Sequence, residues 1–345
     1  MRKLLIASLF LAMLGVDQTF AQDFHFTQFY ANSQLLNPAL TGNFKEDYRV
    51  NFIHRDQWSG IGSKFQTSAF GGDINLKGGK LNRDKVGIGA QVYLDDQAGI
   101  LTTQGFLLSG SYIHTLDGHR RHHLGGGLQI GYMGKDLNTD DFQFGSQYHN
   151  QQYNGSLSNQ ENFAGYNVSN VTIQAGVTYN FNISKTTELF SGLSAYQLTS
   201  PDESVIGTEN KLGRRYVFFT GVEHQLNNKL KVRPQFMYMT QSKAADFNLG
   251  GLLYYELVPV FKTNLILGAF YRSTDAAIVV AGLQHRGLEA KFSYDMTLSD
   301  LTNAEQLEGA APNNVAGAWE VSVIFKGVFR KHNYPNDYTV PCGIF

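Results

Sequence analysis

The segment Leu288-Glu289-Ala290-Lys291-Phe292-Ser293-Tyr294-Asp295-Met296-Thr297 alternates apolar and polar residues without a break. Side chains on a β-strand point to opposite faces with period two, so this stretch makes a ribbon with one oily side and one polar side. The same alternation runs through Val171 to Asn182, Leu230 to Tyr238, Asp246 to Glu256 and Trp319 to Lys326. None of the apolar sets contains Asp, Glu, Lys or Arg. A Lys or Arg facing lipid costs roughly 2–4 kcal/mol at mid-depth, so such clean faces point to hydrocarbon as the neighbour. The predicted fold is all-β, a transmembrane outer-membrane antiparallel β-barrel of about fourteen strands, the first near Tyr48 and the last near Gly317.

Outside the strands, the front end reads as an export signal. Arg2 and Lys3 precede an apolar run from Leu4 to Leu14, and Thr19-Phe20-Ala21 offers small residues for cleavage before Gln22. The expected organisation is a signal peptide over 1–21, an amino-terminal strap or plug over 22–47, the barrel over 48–330 and a tail over 331–345. The strap is expected to be ordered, because Pro38 fixes its own backbone and biases Asn37 toward extended conformations. Cys342 is the only cysteine, so no internal disulfide forms. With 28 Lys+Arg against 29 Asp+Glu, nothing favours a nucleic-acid partner.

The connections add a second signal. Counted from the first strand, the odd ones include Gly134 to Asn170, Leu198 to Arg214 and Leu298 to Ala316, whereas the even ones are short. Outer-membrane barrels keep long loops outside and short turns in the periplasm, which predicts both termini on the periplasmic side. Basic residues in the short turns, including Lys77, Lys80, Arg83, Lys85, Arg120, Arg121, Lys185, Lys229 and Arg286, read as solvated charges. Rings at strand ends, such as Tyr48, Tyr93, Tyr112 and Tyr294, fit headgroup girdles. The glycines Gly125, Gly126 and Gly127 read as points where a closed wall bends. Inward faces carry both signs, among them Arg49, Arg55, Asp73, Glu223, Lys231, Arg233, Glu289, Lys291, Asp295 and Glu320. That mixture suits cross-barrel ion pairs better than a selective pore. By the same parity, Val321→Arg is expected to abolish assembly and Ser322→Arg to be tolerated.

Chemical sites are weakly signalled. His119, His122 and His123 invite a metal, but Arg120 and Arg121 beside them repel a cation. Asp136, Asp140 and Asp141 lack the glycine and terminal Glu of an EF-hand loop. Ser109 and Ser111 fall on the inward parity and His114 on the outward one, which separates the parts of a nucleophilic triad. No catalytic activity, cofactor or metal is expected.

The run Gln22-Asp23-Phe24-His25-Phe26-Thr27-Gln28-Phe29-Tyr30, then Leu36-Asn37-Pro38-Ala39-Leu40-Thr41-Gly42 and His54-Arg55-Asp56-Gln57-Trp58, resembles the amino-terminal signature of the PorP/SprF family of type IX secretion membrane proteins in Bacteroidetes. Gly87-Ile88-Gly89 before Asp95, Tyr294-Asp295 before Ser299 and Leu301, and Glu320-Val321-Ser322 are similar to its later motifs. The resemblance implies a noncatalytic outer-membrane component working with the type IX secretion machinery. It implies help in secretion or surface anchoring of a large adhesin through that partner's carboxy-terminal sorting domain, in some cases for gliding motility. Phe26, Gln28, Phe29, Asn37, Pro38, Arg55, Gln57 and Trp58 are the candidate partner-binding residues. A passive porin-like channel for small solutes is the competing expectation.

Overall fold

The computed structural model describes residues 24–58, 65–76, 84–138, 144–149, 152–158, 167–204, 210–273, 275–298 and 317–329. The expected signal peptide, the tail with Cys342, and Lys77, Lys80, Arg83, Asp140, Asp141, Ser299 and Leu301 lie outside these residues.

The wall is a closed antiparallel barrel of fourteen strands. In chain order it contains β1 (Tyr48–Gln57), β2 (Phe65–Leu76), β3 (Lys85–Gln97), β4 (Leu101–Thr115) and β5 (His122–Leu137). A small hairpin of β6 (Tyr148–His149) and β7 (Gln152–Tyr153) interrupts the longest connection. The wall resumes with β8 (Asn167–Ser184), β9 (Thr187–Tyr196), β10 (Arg215–Gln225), β11 (Leu230–Gln241) and β12 (Ala244–Val258). It finishes with β13 (Thr263–Arg272), β14 (Ala276–His285), β15 (Leu288–Thr297) and β16 (Gly317–Gly327). β1 pairs with β16 from Tyr48↔Gly327 to Gln57↔Ala318, which leaves no unpaired edge.

The period-two reading holds on both faces. Phe292, Tyr294 and Met296 are exposed on the outside while Ser293 and Asp295 are buried inside. Strand starts fall close to the predicted ones. The largest difference is β8, which begins at Asn167 and not near Val171, because it stays paired with β5 as far as Asp136↔Asn167.

Three expectations need correction. Lys85 is the first residue of β3, not a solvated turn charge: it is buried and its Nζ donates to the Phe44 carbonyl at 3.1 Å. Tyr93 points into the barrel, its ring 4.9 Å from that of Phe24, and forms no part of a girdle. The first and last described residues do not share a side. Gly327 pairs with Tyr48 at the short-turn end, whereas Phe24 lies at the opposite mouth beside Tyr93 and Arg215. Counting strands ignores a segment that crosses the lumen before β1.

That segment also changes the expectation for Ser322. Its hydroxyl is fully buried and donates to Gln28 Oε1 at 2.7 Å, so an arginine there has no room. Val321→Arg still places a charge in lipid, at roughly 2–4 kcal/mol. Both variants should therefore lose the heat-modifiable gel shift of a folded barrel, and normal assembly of Val321→Arg would contradict the assigned parity.

Candidate functional site

Residues 24–44 run through the lumen from the long-loop mouth to the short-turn end and are almost wholly buried. A polar lumen explains why so polar a segment packs there: its backbone and amides find partners on the inward strand faces. Three groups of contacts hold it.

At the long-loop mouth the strap is latched by Glu320, which is fully buried. Its two carboxylate oxygens accept the backbone N–H groups of Thr27 at 2.6 Å and Gln28 at 2.9 Å. Arg55 donates to the same carboxylate at 2.5 Å and to Asp295 at 3.1 Å. Arg272 donates to Asp295 at 3.0 Å and to Asp275 at 2.6 Å. The Thr27 hydroxyl sits between the two arginines and donates to Asp295 at 2.6 Å. Gln28 reaches onward to the Ser293 hydroxyl. Two arginines face two buried carboxylates, with the more exposed Asp275 at the edge, and strap donors take up both oxygens of Glu320 and one of Asp295, so the charges are paired and hydrogen-bonded where they are buried.

Midway, the strap makes a short helical turn over Ser33–Leu36 and a 3-10 turn over Pro38–Leu40. Asn37 between them is extended, as a residue before proline prefers. Its Oδ1 accepts the Ala39 N–H at 2.8 Å and caps the second turn. Its Nδ2 donates to the carbonyls of Val177 at 3.1 Å and Leu193 at 2.9 Å, tying the turn to β8 and β9. The backbone here touches the wall: a Cβ on Gly127 would lie 2.4 Å from the Ala39 nitrogen. Gly127 is thus a seat for the strap, a closer constraint than the wall bending expected of it, whereas Gly126 faces outward with nothing near.

At the short-turn end Arg49 pairs with Asp73 at 2.5 Å, donates to the Leu40 carbonyl, and stacks 4.7 Å over the Phe44 ring. Asp73 also accepts the N–H of Gly42, whose φ of +66° suits glycine. A further inward cluster pairs Glu223 with Arg233 and Lys231, and Glu289 with Lys291. The inward charges are paired, but along the wall, within a strand or between strands at most two apart, and not across the barrel as expected; Arg272, absent from the sequence reading, is central to them.

The sequence profile described as type IX secretion system membrane protein PorP/SprF matches residues 18–325. The chain belongs to the PorP/SprF family. No curated protein sequence matches it. Among solved structures it is similar to the toluene transporter TodX of Pseudomonas putida, with a TM-score of 0.51 and 11% identity over 89% of this chain and 98% of that one. It is also similar to the toluene transporter TbuX of Ralstonia pickettii, with a TM-score of 0.50 and 12% identity over 86% and 93%. At such identities the likeness is one of fold. Outer-membrane barrels are the structural neighbours, which agrees with the family and with the lipid-facing parity.

For this PorP/SprF member, the structure places the eight candidate residues in two groups. Phe26, Gln28, Phe29, Asn37, Pro38 and Arg55 are buried in the lumen. Phe29 meets Phe270 edge-on at 6.2 Å, and Tyr30 stacks on the same ring. Gln57 and Trp58 are half-buried at the long-loop rim, where Gln57 accepts from Arg55 and Trp58 packs at 5.0 Å against Phe65. External contact with the first group requires the strap to leave its seat. The remaining chemical suggestions resolve into local structure. Ser109 and Ser111 bond to Thr41 inside the barrel, and His114 bonds to Asp84 outside it. His122 stacks on Phe181 outside while His123 is buried between Thr115 and the Arg120 carbonyl. Asp117 accepts the N–H groups of His122 and Arg121, which hold its pKa below the ordinary carboxylate value.

Proposed function

We propose that this protein is a noncatalytic, non-conducting outer-membrane partner of the type IX machinery that assists secretion or surface anchoring of a large adhesin. The observation that carries this reading is the lumen: it is occupied along its length by the protein's own strap, hydrogen-bonded at both ends. A passive solute channel needs that volume free. What is left for function is a rigid ring presenting the long connections 138–166, 197–214 and 298–316 on one side, together with rim residues Gln57 and Trp58. Such loops on a rigid scaffold are where binding residues concentrate. The adhesin's carboxy-terminal sorting domain is the proposed ligand of this face, and surface display for gliding is one use of it.

Because Asp136 pairs with Asn167, deletion of 139–166 leaves Leu137 and Asn138 as a two-residue turn without cutting the ladder. The shortened protein should retain heat-modifiable mobility while surface display of its adhesin falls at least about tenfold, the loss of roughly 1.4 kcal/mol or more of binding. Unchanged display would exclude this loop as the contact.

A further inference from the structure

Each described turn at the short-turn end carries an exposed cation. Arg121 follows β4, Lys185 follows β8, Lys229 follows β10, Lys262 follows β12 and Arg286 follows β14. Among the described residues, no carboxylate lies within ion-pair distance of Lys185, Lys229, Lys262 or Arg286. The opposite end is less uniform: its two longest connections, 138–166 and 298–316, contain no Lys or Arg, whereas 58–64 carries Lys64, 197–214 carries Lys211 and Arg214, and the β11–β12 turn carries Lys243.

Two further observations bear on these cations. Each has a large apolar side chain exposed close by. Leu226 accompanies Lys229, Val260 at 86% exposure accompanies Lys262, and Leu288 accompanies Arg286. Ile183 and Lys185 repeat the arrangement. The second observation is conformational. Arg120, Lys262 and Arg286 adopt positive φ, between 48° and 54°, where glycine or asparagine is favoured in tight turns. The non-glycine residues with positive φ at the long-loop end are Trp58, Ala98, Gln197, Ser200 and Ser242, none of them basic. Cations thus occupy turn positions that local backbone preference assigns to other residues.

We propose that these turns form a cationic collar that binds the anionic phosphate headgroups of the lipid leaflet at the short-turn end. An apolar side chain enters the acyl boundary and the neighbouring ammonium or guanidinium reaches the phosphate, the division expected of interfacial residues. The circumferential distribution selects lipid over a soluble acidic protein. A protein covers one sector, whereas annular lipid meets every turn.

The test is electron paramagnetic resonance of spin-labelled phosphatidylglycerol and phosphatidylcholine around the full mature protein reconstituted in phosphatidylcholine bilayers. Attraction at each collar site favours the anionic lipid about fivefold, and dilution by the other leaflet gives an average preference of about threefold. A variant carrying Lys185→Asn, Lys229→Asn, Lys262→Asn and Arg286→Asn keeps residues suited to these turns, leaves Arg121 paired with Asp117 at 4.0 Å, and should show no preference. Lys243→Asn at the other end should retain it. A second measurement needs no variant: salt at about 1 M, where screening acts over roughly 3 Å, should abolish the preference of the unaltered protein. Equal association of both lipids with the unaltered protein at low salt, or a preference that survives the fourfold variant or high salt, overturns the proposal. Equal association would leave the collar to a soluble acidic partner.

Discussion

Glu320→Ala should raise amide hydrogen exchange across Phe24–Tyr30 by about 10²–10³-fold while the strands of the barrel stay protected. The expectation follows from what the carboxylate holds. It accepts two strap N–H groups and one Arg55 donor in a site closed to water. Removing it leaves Thr27 and Gln28 without acceptors, and leaves Arg55 and Arg272 facing Asp295 and the more exposed Asp275 alone. Breaking one member of a buried ionic network costs about 3–5 kcal/mol, mostly because the remaining charge is stranded. The loss falls on the seated strap, since the β15–β16 ladder is made by backbone groups that the substitution does not touch. Glu320→Gln, which keeps an oxygen for one N–H, should show a smaller rise. Exchange at Thr27 and Gln28 that is indifferent to both substitutions would mean that the latch does not hold the strap. Mass spectrometry of the amino-terminal peptide reads the result directly.

The wall was legible in the sequence because lipid and lumen imprint opposite demands on adjacent residues, and a period-two pattern survives any uncertainty in strand ends. Lys85 and Tyr93 show where that reading weakens. A basic residue at a strand start looks like a turn charge until its parity is fixed, and an aromatic near a strand end looks like a girdle residue whether it faces in or out. Strap burial was harder to foresee. Thr27, Gln28 and Asn37 carry no hydrophobic periodicity, and their burial follows from a polar lumen that supplies carboxylates and carbonyls in place of an apolar core. What did mark them was the motif itself: Thr27 and Gln28, set between Phe26 and Phe29, meet the Glu320 latch while the rings fill the space toward Phe270 and Tyr93. Arg272 had no such mark, being a single cation at the end of an apolar strand.

Gly127→Val should convert a silent protein into a conducting one in planar bilayers. A barrel of fourteen strands is wider than the eight-stranded type that its own wall side chains can fill, and narrower than a 16- to 18-stranded porin. Whether it conducts therefore depends on the strap. On Gly127 even a single added carbon would lie 2.4 Å from the Ala39 nitrogen and 2.5 Å from its Cα, contacts made by backbone that no rotamer change relieves. Valine adds two branches beyond that carbon. The turn at Pro38–Leu40 must move off the wall, and Asn37 then loses its bonds to Val177 and Leu193. Overpacking of this kind costs about 1–3 kcal/mol, and each lost bond to a buried group adds about 1 kcal/mol, enough to hold the middle of the strap out of place for much of the time. The adjacent Gly126 provides the control, since a side chain there enters lipid with nothing within 4 Å. Gly126→Val should fold, keep its heat-modifiable shift and remain silent. Steady currents from the unaltered protein would remove the physical basis for a closed partner barrel. Silence of both variants, with the strap equally protected, would show instead that it does not rest on this part of the wall.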